Sequence, residues 1–136
     1  MSRENAEKVR AYLESFDSET LSRGEIDCPF LAPDATYADE ILPDHVGEEY
    51  RGREAMGHAG RVWLEPYETH SIELERVTDA GDSVVALVRF RATARHTGIE
   101  HDLPLAWLFR FRAAEAVHWH AYRSEEEALD AAEPST

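Results

Sequence analysis

Residues 100–112 read Glu-His-Asp-Leu-Pro-Leu-Ala-Trp-Leu-Phe-Arg-Phe-Arg. Leu103, Leu105, Trp107, Phe109 and Phe111 recur at every second position, while Arg110 and Arg112 take alternate ones. A period of two is the mark of a strand with one buried face. Working upstream, Ser83 to Arg95 is a second strand, rich in Val, Leu and Phe, and Thr97-Gly98 turns the chain between the two. Ala80-Gly81-Asp82 is a hairpin turn. Before it, Tyr67 to Thr78 alternates through Ile72, Leu74 and, with a slip, Val77. Downstream, Ala113 to Ala116 is a tight turn and Val117 to Arg123 a last strand. Ser124 to Glu133 is a capped, acidic helical piece. The second half of the chain is therefore a meander of long antiparallel strands.

The first half has the other period. Val9, Tyr12, Leu13 and Phe16 recur at helical spacing behind a Ser2 cap. Ser18 to Arg23 is a short second helix that Gly24 stops. Glu25 to Leu31 reads as a further helical turn with Ile26 and Phe30 inward. Pro33-Asp34 is a turn, Ala35 to Ala38 a short strand, Asp39 to Asp44 a loop with Pro43, and Val46 to Tyr50 a second short strand. Gly52 opens a helix from Arg53 to Leu64, and Pro66 follows its end. Helices on one side of a curved meander make an α+β plan. The concave face, roofed by the helices, leaves an apolar pocket open at one end.

At 136 residues the chain is one domain, 1–136, with 130–136 expected to form a disordered tail. Its 28 acidic and 14 basic residues give a net charge of −14. That balance argues against nucleic acid, whose phosphates call for a basic face, and against anionic membranes. Thirteen of the basic residues are Arg, and Lys8 stands alone. The single Cys28 excludes an internal disulfide, and no Cys cluster offers a zinc site. The polar start, MSRENAEKVR, is not a signal peptide, and no apolar run approaches the ~20 residues of a membrane span. These features point to a cytoplasmic protein.

The order of elements resembles the nuclear transport factor 2 superfamily, an α+β cone, and within it the SnoaL-like polyketide cyclase group. The resemblance is carried by Ala32-Pro33-Asp34-Ala35-Thr36, Tyr50-Arg51-Gly52-Arg53-Glu54, Gly81-Asp82-Ser83-Val84-Val85, Thr97-Gly98 and Trp107-Leu108-Phe109-Arg110-Phe111, and by the end from Ala121 to Leu129. It spans Asn5 to Leu129. It implies a cone-shaped, strongly bent, mainly antiparallel sheet with three helices of the N-terminal half on its concave face. Relatives include steroid isomerases, polyketide cyclases, epoxide hydrolases, dehydratases and plain binding modules, so fold alone does not fix function.

The stretch Ala35 to Asp39 is similar to the segment of ketosteroid isomerases that ends in their catalytic aspartate, which implies Asp39 as general base. The plain alternative is a loop Asp that caps its own backbone. Tyr12 matches the isomerases' oxyanion-donating tyrosine on the first helix; alternatively it is a core tyrosine. The isomerases' second donor, a protonated aspartate, is replaced here by Trp107. Arg89 matches the pocket arginine of limonene-epoxide hydrolases, but Arg91 and Ala121 stand where their two aspartates would be. Arg89 and Arg91 either face the pocket and hold an oxygenated ligand, or face solvent. His101 shares a face with Leu103 and Trp107 and is either a proton shuttle or a core histidine. Trp63, Tyr67, Trp107 and Trp119 either line the pocket for a flat ligand or fill the core. His118 and His120 point away from Trp119, with no third ligand at fitting spacing, so no metal is expected.

The expected activity is cofactor-free acid–base chemistry on a hydrophobic oxygenated small molecule such as a polyketide: isomerisation, aldol-type cyclisation or dehydration. Asp39 would take the proton, and Tyr12 or Arg89 would stabilise the enolate. The alternative is a ligand-binding or dimerisation module without turnover. A symmetric homodimer is expected through the outer sheet face carrying Leu108, Arg110, His118, His120 and Tyr122.

Overall fold

The computed structural model describes residues 2–42, 45 and 47–132. Pro43, Asp44, Val46, the side chain of Ser2 and residues 133–136, on which some of the expectations above fall, lie outside the described residues. Among the described residues the chain forms α1 (Ser2–Glu14), α2 (Ser18–Ser22), β1 (Leu31–Asp39), β2 (Tyr50–Arg51), α3 (Gly52–Leu64), β3 (Tyr67–Ala80), β4 (Ser83–Ala94), β5 (Glu100–Arg112), β6 (Glu115–Tyr122) and α4 (Glu125–Ala132). The strands form one curved, unclosed sheet in the order β2-β1-β6-β5-β4-β3. All neighbours run antiparallel except β1 and β6, which are parallel. The α+β cone expected from the sequence is the fold observed.

The alternation in β5 places Leu105, Trp107, Phe109 and Phe111 in the main core with Val84, Val88 and Phe90 of β4. Val9 and Leu13 of α1 and Leu64 of α3 close over them. Asp17 caps α2 by accepting the Glu19 N–H at 2.9 Å, and Gly24, at φ +81°, ends it in a backbone conformation that a Cβ disfavours.

The structure departs from the sequence expectation at several points. The second short strand is Tyr50–Arg51 rather than Val46 to Tyr50, and residues 47–49 form no strand. Residues 25–30 form no helical turn. Their carbonyls find an external donor instead: the Arg53 guanidinium on α3 reaches the oxygens of Ile26 (3.3 Å), Cys28 (2.9 Å) and Leu31 (3.1 Å). Pro33-Asp34 lies within β1, where the register against β6 shifts between Leu31 and Thr36; the bulge absorbs the proline, which cannot donate to the ladder. Asp130–Ala132 belong to α4, so the helix extends into the expected tail. Finally, α4 packs on the outer face, where Ala128 and Ala132 make a second core with Val85, Ala106 and Leu108. Leu108, read as part of an open pairing face, is only 1 % exposed because its own chain covers it. No described helix is long and apolar enough to cross a membrane.

Candidate functional site

Strand parity builds the site. On β1, Tyr37 and Asp39 point inward, and Thr36, Ala38 and Glu40 outward. The parallel pairing sets Tyr37 beside Trp119 and Asp39 beside Ala121. On β5, Trp107 is flanked by Ala86 and Ala121, two buried alanines whose small size leaves width for an indole. Trp107 and Trp119 then meet edge to face at 5.1 Å. Trp63, from α3, lies on Phe90 at 4.9 Å and reaches Trp107 at 6.5 Å. Tyr37 stands edge-on to Trp119 at 6.1 Å. These four rings wall an apolar cleft of about 20 Å³. Leu21 and Ile26 close it from the α2 side, and Met56 and Gly60 from α3. The volume is about that of one water.

Behind Tyr37 lies a buried polar knot. Asp39 is 3 % exposed and accepts four hydrogen bonds. Its Oδ1 takes the backbone N–H groups of Ile41 and Leu42, both at 3.1 Å. Its Oδ2 takes the Tyr37 hydroxyl at 3.0 Å and His45 Nδ1 at 2.8 Å. Burial and the Asp39 carboxylate push the Tyr37 phenol well above its usual pKa, so it stays protonated and donates. A carboxylate can only accept, so His45 Nδ1 carries a hydrogen, and in the neutral tautomer the lone pair sits on Nε2. His45 is 5 % exposed and stands edge-on to Tyr50 at 5.3 Å.

Asp39 is thus brought to the cleft wall, through Tyr37, and it also caps its own backbone. Tyr12 is not brought to it. Its ring sits edge-on to Trp119 at 6.2 Å, so the indole stands between Tyr12 and Tyr37. Tyr12 instead lines two surface grooves, with Ser15 and Asp27 in both. Burial, helped by Cys28 and Asp27, raises its phenol pKa strongly. Of the two readings of Arg89 and Arg91, the structure takes the outward one, which removes Arg89 from the catalytic and Arg91 from the ligand-binding candidates. β4 turns Val88, Phe90 and Ala92 inward, so both arginines lie on the outer face. Arg89 pairs with Asp102 at 3.1 Å and Glu75 at 3.6 Å, and Arg91 with Glu73 at 3.5 Å and Asp102 at 3.6 Å. Neither can reach an enolate in the cone. Tyr67 and His101 pair at 5.4 Å beyond Phe90 and do not line the cleft.

His118 and His120 do face outward, into a directed hydrogen-bond chain. Glu40 accepts from His120 Nε2 at 2.8 Å; with both rings neutral, His120 Nδ1 accepts from His118 Nε2 at 3.0 Å and His118 Nδ1 from the Thr36 hydroxyl at 2.6 Å. Burial and His120 lower the His118 pKa. Among the described residues no group of three or more His, Cys, Asp or Glu is placed to hold a metal.

Two members of the knot escaped sequence reasoning. Tyr37 had a signal, since Tyr-x-Asp on a strand shares one face. His45 had none, because a loop carries no periodicity to aim a side chain.

A SnoaL-like domain model matches residues 7–119, most of the chain. The chain belongs to the SnoaL-like domain family. No curated protein matches it. Solved structures share the fold of this SnoaL-like protein at low identity. An NTF2-like protein from Burkholderia thailandensis is 21 % identical, with 96 % of this chain and 98 % of that one covered and a TM-score of 0.68. A protein of ketosteroid isomerase-like fold from Catenulispora acidiphila, solved with trimethylamine, is 21 % identical over 94 % of each chain, TM-score 0.65. A candidate SnoaL-like polyketide cyclase from Mesorhizobium loti is 18 % identical over 90 % of this chain and 98 % of that one, TM-score 0.67.

Proposed function

We propose that this SnoaL-like protein is a cofactor-free enzyme that moves a proton on a hydrophobic, oxygenated small molecule, with His45 as the base. The observation that carries the reading is the sharing of Asp39 Oδ2 between His45 Nδ1 and the hydroxyl of Tyr37, whose ring lines an aromatic cleft. Four donors occupy both oxygens of Asp39, so the carboxylate is fully engaged within the knot. The same bonds make it a good orienting group: they place a hydrogen on His45 Nδ1, which leaves Nε2 as the nitrogen that can take a proton. Asp39 therefore moves from base, as the sequence suggested, to positioning residue. Removal of a proton next to a carbonyl is the step shared by isomerisation, aldol-type cyclisation and dehydration. At about 20 Å³ the cleft admits substrate only by displacing wall side chains. Trp63 and Ile26, neither fully buried, are the ones free to turn.

The second reading is a carrier that binds the same ligands without turnover. It is favoured by the two backbone bonds to Asp39, which a loop cap alone would explain. Exchange of α-protons in deuterated water, followed by NMR on 2-tetralone and acetophenone, separates the two. The wild-type chain should accelerate exchange, and His45→Gln should lose roughly 10²–10⁴ of that rate. Binding without accelerated exchange would instead establish the carrier.

A further inference from the structure

We infer that the cleft is built to receive an uncharged, flat ligand through a carbonyl oxygen, and that Trp119 Nε1 is the donor that holds it. This rests on the reading of the cleft as the ligand site. It does not depend on His45 acting as a base.

The starting observation is an orphan. Trp119 is 3 % exposed, lines the cleft, and its indole N–H has no hydrogen-bond partner among the described residues. Buried donors without partners are rare in native structures, and each calls for an explanation. The neighbours of Trp119 are ring faces and edges: Tyr12, Tyr37, Trp107 and Phe109. The Tyr37 hydroxyl donates to Asp39, and among the described residues neither it nor the Tyr12 hydroxyl is bonded to the indole N–H.

A water is the first occupant to weigh. One would fit about 20 Å³, but a buried water makes about three bonds and must place two hydrogens of its own. The cleft wall offers donors and almost no acceptors. Its nitrogen atoms are indole N–H groups, which only donate. Besides backbone, the remaining heteroatoms of the lining are the Tyr37 oxygen and the Met56 sulfur, a weak acceptor. A water there could donate one hydrogen to the Tyr37 oxygen and would leave the other without a good side-chain acceptor. A carbonyl oxygen has lone pairs and no hydrogen, so one N–H satisfies it.

Charge and shape narrow the class further. Among the described residues no cationic side chain lines the cleft, and Arg89 and Arg91 are engaged by Glu73, Glu75 and Asp102 on the other face of the sheet. A carboxylate or phosphate would have to give up its water without a counter-charge, which is unfavourable. Indoles and a phenol ring around a narrow slot favour a planar apolar body. Ketones, enones and aryl carbonyl compounds satisfy all three constraints.

The test compares acetophenone with α-methylstyrene, which have nearly the same shape but carry C=O and C=CH₂ respectively. Binding to the full chain is followed by tryptophan fluorescence and by the indole N–H resonances of ¹⁵N-labelled protein, with Trp119→Phe assigning the Trp119 signal. Acetophenone should bind about tenfold more tightly, the worth of one neutral hydrogen bond. It should also move the Trp119 N–H resonance downfield, whereas α-methylstyrene should not. In Trp119→Phe the preference should vanish while both compounds still bind. Should that variant fail to fold, Trp63→Phe and Trp107→Phe assign the Trp119 signal by elimination, and the wild-type preference and resonance shift decide the matter. Equal affinities, an unmoved Trp119 resonance, or no binding of either compound at millimolar concentration would overturn the inference. Loss of preference alongside His45-dependent proton exchange would remove this assignment and leave the enzyme reading intact. Preference retained in a chain that exchanges no protons would do the reverse.

Discussion

Asp39 shows how one carboxylate sets the state of two neighbours. Asn at this position keeps the shape but replaces one acceptor oxygen by an NH₂ group. The backbone N–H groups of Ile41 and Leu42 cannot change role, so the amide oxygen must face them and the NH₂ must face Tyr37 and His45. His45 then has to accept at Nδ1 and carry its hydrogen on Nε2, the wrong tautomer for a base. Asp39→Asn is therefore expected to cut proton exchange about as far as His45→Gln, roughly 10²–10⁴-fold, while urea denaturation registers a loss of only about 1–2 kcal/mol. A stable variant with full exchange activity would remove Asp39 from the mechanism. His118 carries a second residue-scale expectation. Its pKa is depressed in the folded chain by burial and by His120. The unfolded chain thus binds more protons between that depressed value and the ordinary one near 6.5. Stability should be full above pH ~6.5 and fall as the pH drops through the folded pKa. Glu40, Glu49, Arg110 and Thr36 share its surroundings, so the comparison is with His118→Gln, whose denaturation midpoint should vary less between pH 7.5 and 5.

Between α2 and α3 the cleft is closed by close approach, and two glycines permit it. A Cβ on Gly57 would lie 2.0 Å from the Gly24 carbonyl oxygen, which is backbone and cannot turn away. A Cβ on Gly60 would meet Leu21 at 2.2 Å, the tip of a flexible side chain. Gly57→Ala should therefore cost about 1–3 kcal/mol, the usual range for overpacking. Gly60→Ala should be far milder, because Leu21 can rotate and alanine gains about 1 kcal/mol of helix propensity over glycine. Thermal melts of the two single variants test the order; a reversed order would mean that the contact at Gly24 is looser than its geometry implies. Since Leu21 also closes the cleft, Gly60→Ala should loosen that side and tighten acetophenone binding, an element-scale change felt at the site.

Across the whole molecule the sheet is covered on both faces, inside by α1 and α3 and outside by α4. Arg76 and Glu125 join in a bidentate pair at the start of α4, and Arg110 reaches the Ala131 carbonyl at 3.3 Å near its end. Val85, Ala106 and Leu108 beneath it would otherwise form an apolar patch. A chain ending at Ser124 should expose that patch and show a higher mean mass than the full chain in sedimentation at equal concentration. Equal masses would mean that α4 is dispensable as a cover. The outer face left beyond α4 is polar, with Glu40, His118 and His120 in its hydrogen-bond chain. Apolar exposure at Leu108 is thus no driving force for a homodimer of the intact protein.

Periodicity in the sequence determined the fold class, because the alternation from Leu103 to Phe111 and the helical spacing from Val9 to Phe16 are local facts that burial then enforces. The same parity correctly turned Trp119 inward and His118 and His120 outward. It left Arg89 and Arg91 undecided, since their strand is apolar on both faces; α4, covering Val85 on their own side, is the reason, and only tertiary packing displays it. The resemblance of Ala35 to Asp39 to a ketosteroid isomerase segment pointed to Asp39, but not to its partners. His45 comes from a loop with no period, and Arg53 satisfies carbonyls over twenty residues upstream. Local pattern fixes which way a residue points along a regular element. What it meets there depends on contacts between segments far apart in the chain, and those decided the buried knot, the size of the cleft and the orphan donor on Trp119.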